Sequence, residues 1–211
     1  MIPAGNFDLI VLAADKDIEQ SVRGILSDHA RIGIRAITYD VIVHPEHDPG
    51  VLKRPQELLR SMIRRAGHAL AIFDYEGCGQ TSSREEVERI VEQRLLANGW
   101  DGRAAAISID PELENWLGIC IDSRIAASIL GWPVGGKSFR DYLIELSCLR
   151  PGQRRLNRPK EALRAALRVA KVPKSSSLYF KIAIEADIER CTDASFEKLV
   201  RFLRLWFPSE V

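Results

Sequence analysis

The sequence predicts an α/β protein: an open, largely parallel sheet of about four strands flanked by helices, followed by a helical C-terminal half. Three observations carry this expectation. Strand-like and helix-like segments alternate as far as Asp110. The strand-like segments are nearly continuous apolar runs, as in a parallel sheet covered on both faces. Beyond about residue 120 the strand signals fade and helical periodicities take over.

"FDLIVLAAD" (Phe7 to Asp15) reads as the first buried strand, and Ile18, Val22, Ile25 and Leu26 then follow at helical spacing. "IGIRAITYDVIVHP" is rich in β-branched residues and long enough for a second strand, and "RPQELLRSMIRRAG" for a second helix. "HALAIFD" gives a third strand ending at Asp74. The next helix has a capping box at Ser83 and Glu86, a stripe of Val87, Ile90, Val91 and Leu95, and a stop at Asn98–Gly99. "RAAAISID" is the fourth strand, ending at Asp110. The β-α-β order implies parallel strands with helices on both faces. "SRIAASIL", "SFRDYLIELSCL", "PKEALRAALRVAK", "SSSLYFKIAIEADIE" and "DASFEKLVRFLRLWF" read as helices, with breaks at Pro151–Gly152 and Pro173. The chain thus divides into an α/β core over 1–120 and a helical, basic region over 121–211 packed on it.

The 211 residues suffice to bury a core, and 46% apolar with 28% charged residues is ordinary for a globular protein. No apolar run approaches the roughly 18 residues of a membrane span. The opening "MIPAGNFDLIVLAAD" lacks a basic n-region and reads as strand rather than signal peptide. Cys78, Cys120, Cys148 and Cys191 stand far apart. They are expected to be reduced thiols of a cytoplasmic protein, without a structural zinc site. The net charge of +1 hides an asymmetry. Ten basic residues between Arg150 and Lys181 face only Glu161, a local charge of +9 that leaves about −8 elsewhere. Such polarity suits a phosphate-binding surface and an acidic metal pocket, and equally two solvated faces.

Ligands of open parallel sheets sit outside the carboxyl ends of the strands. Three predicted strand ends carry acids: Asp15 and Asp17 after the first, Asp74 and Glu76 after the third, Asp110, Glu112 and Glu114 after the fourth. Acids two residues apart point the same way while the chain stays extended. Mg²⁺ or Mn²⁺ relieves such crowding with one or two carboxylates while keeping positions for water and phosphate. Gly77 and Gly79 would let the backbone turn sharply beside a ligand. The same letters also spell a capped acidic turn. In "HPEHDPG", His44, His47 and Asp48 offer metal or substrate contacts, although two prolines and a glycine favour a rigid loop. Arg154, Arg155, Arg158 and Lys160 precede or open a helix, and Lys174 stands at another helix start, as phosphate sites do and as ordinary capping does. The sequence contains no Walker loop, G-x-S-x-G elbow or H-E-x-x-H motif, which removes the corresponding ATPase, hydrolase and zincin readings.

"FDYEG" at the third strand and "DPELENWLG" after the fourth resemble the TOPRIM-like proteins of bacterial anti-phage systems. Taken with "HPEHDPG", "LGW", "RPKEA", "SSSLYF" and "RCTDASFEKLVRFLRLWFP", the string is similar to a component of the methylation-associated defence systems, from His44 to Pro208. The resemblance implies phage restriction beside a methyltransferase and other operon proteins. The first expectation for its chemistry is divalent-metal-dependent handling of DNA or RNA phosphodiesters, with Asp74 and Glu76 on Mg²⁺, Glu114 or Asp15 completing the shell, and the basic 150–181 region on the nucleic-acid backbone. The pattern departs at one place: TOPRIM enzymes carry a glutamate after the first strand, where this chain has Ala13–Ala14. A non-catalytic sensor or adaptor that binds nucleic acid or another defence protein is therefore the alternative expectation.

Overall fold

The apolar runs form strands as their composition requires. In the computed structural model, which describes residues 7–116, 128–132, 136–153, 156–185, 191 and 193–209, they are β1 (Phe7–Ala13), β2 (Tyr39–Val43), β3 (Ala66–Asp74) and β4 (Ala104–Ile109). All pair in parallel, in the order β2-β1-β3-β4. Val11 stands opposite Val41 on one side and Leu70 on the other, and Ile72 opposite Ile107. From Ala66 to Phe73 every residue of β3 is buried, which accounts for the absence of polar alternation in its sequence. The chain leaves β1 for β2 on one flank and then crosses to β3 on the other. That reversal makes a topological switch point, with a crevice at the carboxyl ends of β1 and β3.

The helices are α1 (Lys16–Ile25), α2 (His47–Lys53), α3 (Pro55–Leu59), α4 (Arg84–Leu96), α5 (Phe139–Glu145), α6 (Pro159–Ala170), α7 (Ser176–Glu185) and α8 (Ala194–Trp206). Ser83 caps α4 by accepting the Glu86 N–H at 3.3 Å, as the sequence motif predicts. Asp15 caps α1 through the Ile18 N–H at 2.8 Å.

Three elements differ from the sequence reading. The second strand is only five residues long, because Gly33 turns the chain at φ +71° and Ile34 bridges antiparallel to Pro208 instead. The expected helix after Arg54 is shortened to α3, with a 3-10 turn at Arg60–Met62. The expected rigid loop at "HPEHDPG" is the start of α2: Pro49 sits in the first turn, where its missing N–H has no intrahelical partner to lose. Gly50 lets α2 pass the His44 ring, into which a Cβ would run.

The C-terminal helices lie on this core. α7 packs along α1 so closely that a Cβ on Gly24 would stand 2.7 Å from both Ala183 Cβ and the Phe180 carbonyl. α8 flanks the outer edge of β4. There the Ala106 and Ser108 N–H groups donate to Glu92 at 3.0 Å and to Glu88 at 2.8 Å, and Lys198 of α8 pairs with both carboxylates. Side chains thus occupy donors that an open edge strand would offer to another chain. The N-cap of α8, Asp193, is buried and accepts from Asn115 Nδ2 at 2.8 Å and Trp116 Nε1 at 3.2 Å, tying the segment after β4 to this helix. Among the described residues no helix is long and apolar enough to cross a membrane.

Candidate functional site at the carboxyl ends of the strands

Asp74, the last residue of β3, stands beside the switch point. Its N–H donates to Asp48 Oδ1 at 2.8 Å, and its own Oδ1 accepts the Leu113 N–H at 2.9 Å from the segment after β4. Gly77 makes room for this arrangement, because a Cβ there would overlap the Asp48 carboxylate. Burial pushes the Asp74 carboxyl well above its ordinary range, and the nearby charges of Asp48, Glu114, Asp15 and Glu112 push it further. Asp48 is raised as well, by burial first and then by Asp15, against the opposing hydrogen bond from Asp74. Perturbed carboxyl groups gathered in a crevice mark a candidate functional site.

Glu76, two residues on, is exposed. The spacing rule that aligns it with Asp74 needs an extended chain, but a 3-10 turn at Glu76–Cys78 follows at once and leaves Glu76 exposed. Gly79 closes that turn at φ +63°. Cys78 is buried within it, its thiol on the Asp74 carbonyl at 3.2 Å. Burial and the two neighbouring aspartates push the thiol up to about 12, far from a reactive thiolate.

The remaining carboxylates have partners from other elements. Glu114 is buried and accepts the Tyr179 hydroxyl at 2.7 Å, and Tyr179 is fully buried in α7. Burial, then the Glu114 charge, holds the phenol far above its usual ionisation range. Glu112 accepts from Lys160 at 2.6 Å. Asp17 accepts from Ser176 Oγ at 2.6 Å and pairs with Lys174 at 3.1 Å. Lys160 is held in its charged form by Glu112 chiefly, with help from Glu114 and Asp74 and against partial burial. The cations expected to hold phosphate therefore divide. Lys160 and Lys174 reach the rim of the acidic crevice, Arg158 stays exposed at the start of α6, and Arg154 and Arg155 lie outside the described residues.

His44 is buried, and its Nδ1 accepts the Glu46 N–H at 3.0 Å. Burial, against the Glu46 charge, lowers its proton affinity. His47 is exposed, with Nδ1 3.2 Å from the Ala14 carbonyl. Of the loop residues singled out in sequence, Asp48 alone joins the carboxylate group. Leu113 and Tyr179 escape the sequence reading. Only Tyr179 leaves a trace there, as a phenol on an otherwise apolar helix face, which demands a buried partner.

The donor set is all hard oxygen, as Mg²⁺ or Mn²⁺ prefers. The arrangement, however, is a closed network. Asp15, Asp17, Asp48, Asp74, Glu112 and Glu114 each accept at least one internal hydrogen bond. Among the described residues no three His, Cys, Asp or Glu side chains are grouped so as to hold a metal ion. No family model, curated protein or solved structure matches the chain.

Proposed function

We propose that this chain is a binding component, a sensor or adaptor, of a bacterial anti-phage defence system of the methylation-associated kind. On this reading it is a cytoplasmic protein with a TOPRIM-like shell whose strand-end crevice does not cut. One observation carries the reading: the acids that would serve chemistry are already engaged by the fold, Glu114 by Tyr179, Glu112 by Lys160 and Asp74 by the Leu113 N–H. The sequence agrees with it, since Ala13 and Ala14 follow where the TOPRIM pattern has its acid–base glutamate. Such a component acts by holding nucleic acid or another protein of its operon. In cells carrying the whole operon, Asp74→Asn is expected to protect against phage as wild type does. Lost protection at an unchanged protein level would place chemistry at Asp74.

A second reading, a nuclease-like phosphodiesterase dependent on Mg²⁺ or Mn²⁺, is favoured by the crowding of Asp74 with Asp48, Glu114, Asp15 and Glu112. A divalent cation would relieve that crowding, with Asp48 rather than Glu76 beside Asp74. Cleavage of DNA or RNA that requires either cation and vanishes in Asp74→Asn would favour it over the first.

A further inference from the structure

The basic residues of the C-terminal half fall into two populations. Lys160 and Lys174 are neutralised by Glu112 and Asp17. Arg164, Arg168 and Lys171 lie on the exposed side of α6 and at its C-cap, and none of them is ion-paired to a described carboxylate. With Lys160 they recur at i, i+4, i+8 and i+11, so four cations share one stripe, stepping about 6 Å along the axis every four residues. The stripe starts at the rim of the acidic crevice, where Lys160 meets Glu112.

We propose that this outward face of α6 is a surface for the sugar–phosphate backbone of nucleic acid, with Arg164, Arg168 and Lys171 as its contacts. The inference rests on the reading of the chain as a binding component and names the partner class of that component. Guanidinium groups take phosphate oxygens bidentately, and a row of unpaired cations releases counterions when it meets a polyanion. A membrane surface fits less well. The apolar face of α6, Ala162, Leu163, Ala166 and Leu167, is buried against the body, which leaves no apolar stripe to insert between lipids. The contacts involve no base edges, so binding is indifferent to sequence.

The test is fluorescence anisotropy of the full chain with labelled duplex DNA, single-stranded DNA and RNA over a salt series. Three phosphate contacts give a slope of log K against log[salt] of about −3 for duplex and about −2 for single strands. Arg164→Ala/Arg168→Ala/Lys171→Ala is expected to weaken binding by at least about tenfold at low salt and to flatten the slope. The charge-matched control, Arg60→Ala/Arg64→Ala/Arg65→Ala, removes three exposed arginines elsewhere and is expected to change affinity less than about threefold. Thermal melts confirm that both variants fold. Salt-dependent binding that the α6 variant leaves intact overturns the surface while leaving a binding component in place. Absence of binding to every nucleic acid, or α6-dependent binding to phosphatidylserine vesicles or to an acidic protein instead, overturns the partner class. None of these outcomes bears on whether the crevice cuts, which Asp74→Asn decides separately.

Discussion

Tyr179 donates its phenolic hydrogen to Glu114 at 2.7 Å, with both side chains buried and 65 residues apart in the chain. The bond joins the segment after β4 to α7. Tyr179→Phe removes the donor and leaves a buried carboxylate oxygen unsatisfied. The expected cost is about 2 kcal/mol of unfolding free energy, read from urea denaturation. A change below about 0.5 kcal/mol would mean that water or another donor already serves Glu114.

Asp74 gives a pH dependence of definite sign. Its carboxyl holds its proton more tightly folded than unfolded, so the group costs stability progressively as pH climbs from its unfolded value through its folded one. That cost disappears below the unfolded value, about pH 4. Asp74→Asn keeps an oxygen for the Leu113 N–H and removes the charge. It is expected to melt higher than wild type at pH 7 to 8, with the two converging toward pH 4. A lower melting temperature for Asn at neutral pH would contradict the crowding.

Asp8 has the opposite sign. Arg35 at 2.7 Å and the Thr38 backbone and hydroxyl stabilise its carboxylate, outweighing burial, and lower its folded value. Its contribution is therefore present above the unfolded value and lost as pH falls through the folded one. Asp8→Asn is expected to lower the melting temperature at pH 7 and to match wild type in strong acid, below both values.

Gly24 sits in the last turn of α1, where helix propensity alone favours alanine by up to about 1 kcal/mol. The Cβ would meet Ala183 Cβ and the Phe180 carbonyl at 2.7 Å, so α1 and α7 must part. Gly24→Ala is expected to destabilise by about 1–3 kcal/mol in chemical denaturation, reversing the propensity prediction.

The sequence carries the strands, the caps and the acids at the strand ends openly, because apolar runs, Ser83–Glu86 spacing and strand-end aspartates are local signals. Contacts between distant segments are not local. Charge counting marks Lys160 and Lys174 as phosphate ligands, yet tertiary folding seats them on Glu112 and Asp17. A D-x-E spacing suggests that Asp74 and Glu76 point the same way, yet a 3-10 turn follows β3 and leaves Glu76 exposed, while α2 brings Asp48 onto the Asp74 N–H. The acidity of the crevice was thus legible, and its closure by lysine and tyrosine was not.

Calorimetric titration of Mg²⁺ and Mn²⁺ into wild type and Asp74→Asn tests that closure most directly. For a closed network, neither protein gives a saturable isotherm up to millimolar cation, and thermal melts of the two respond alike to the metal. Saturable binding by wild type, accompanied by proton release and absent from Asp74→Asn, would contradict it and make the crevice a cation site.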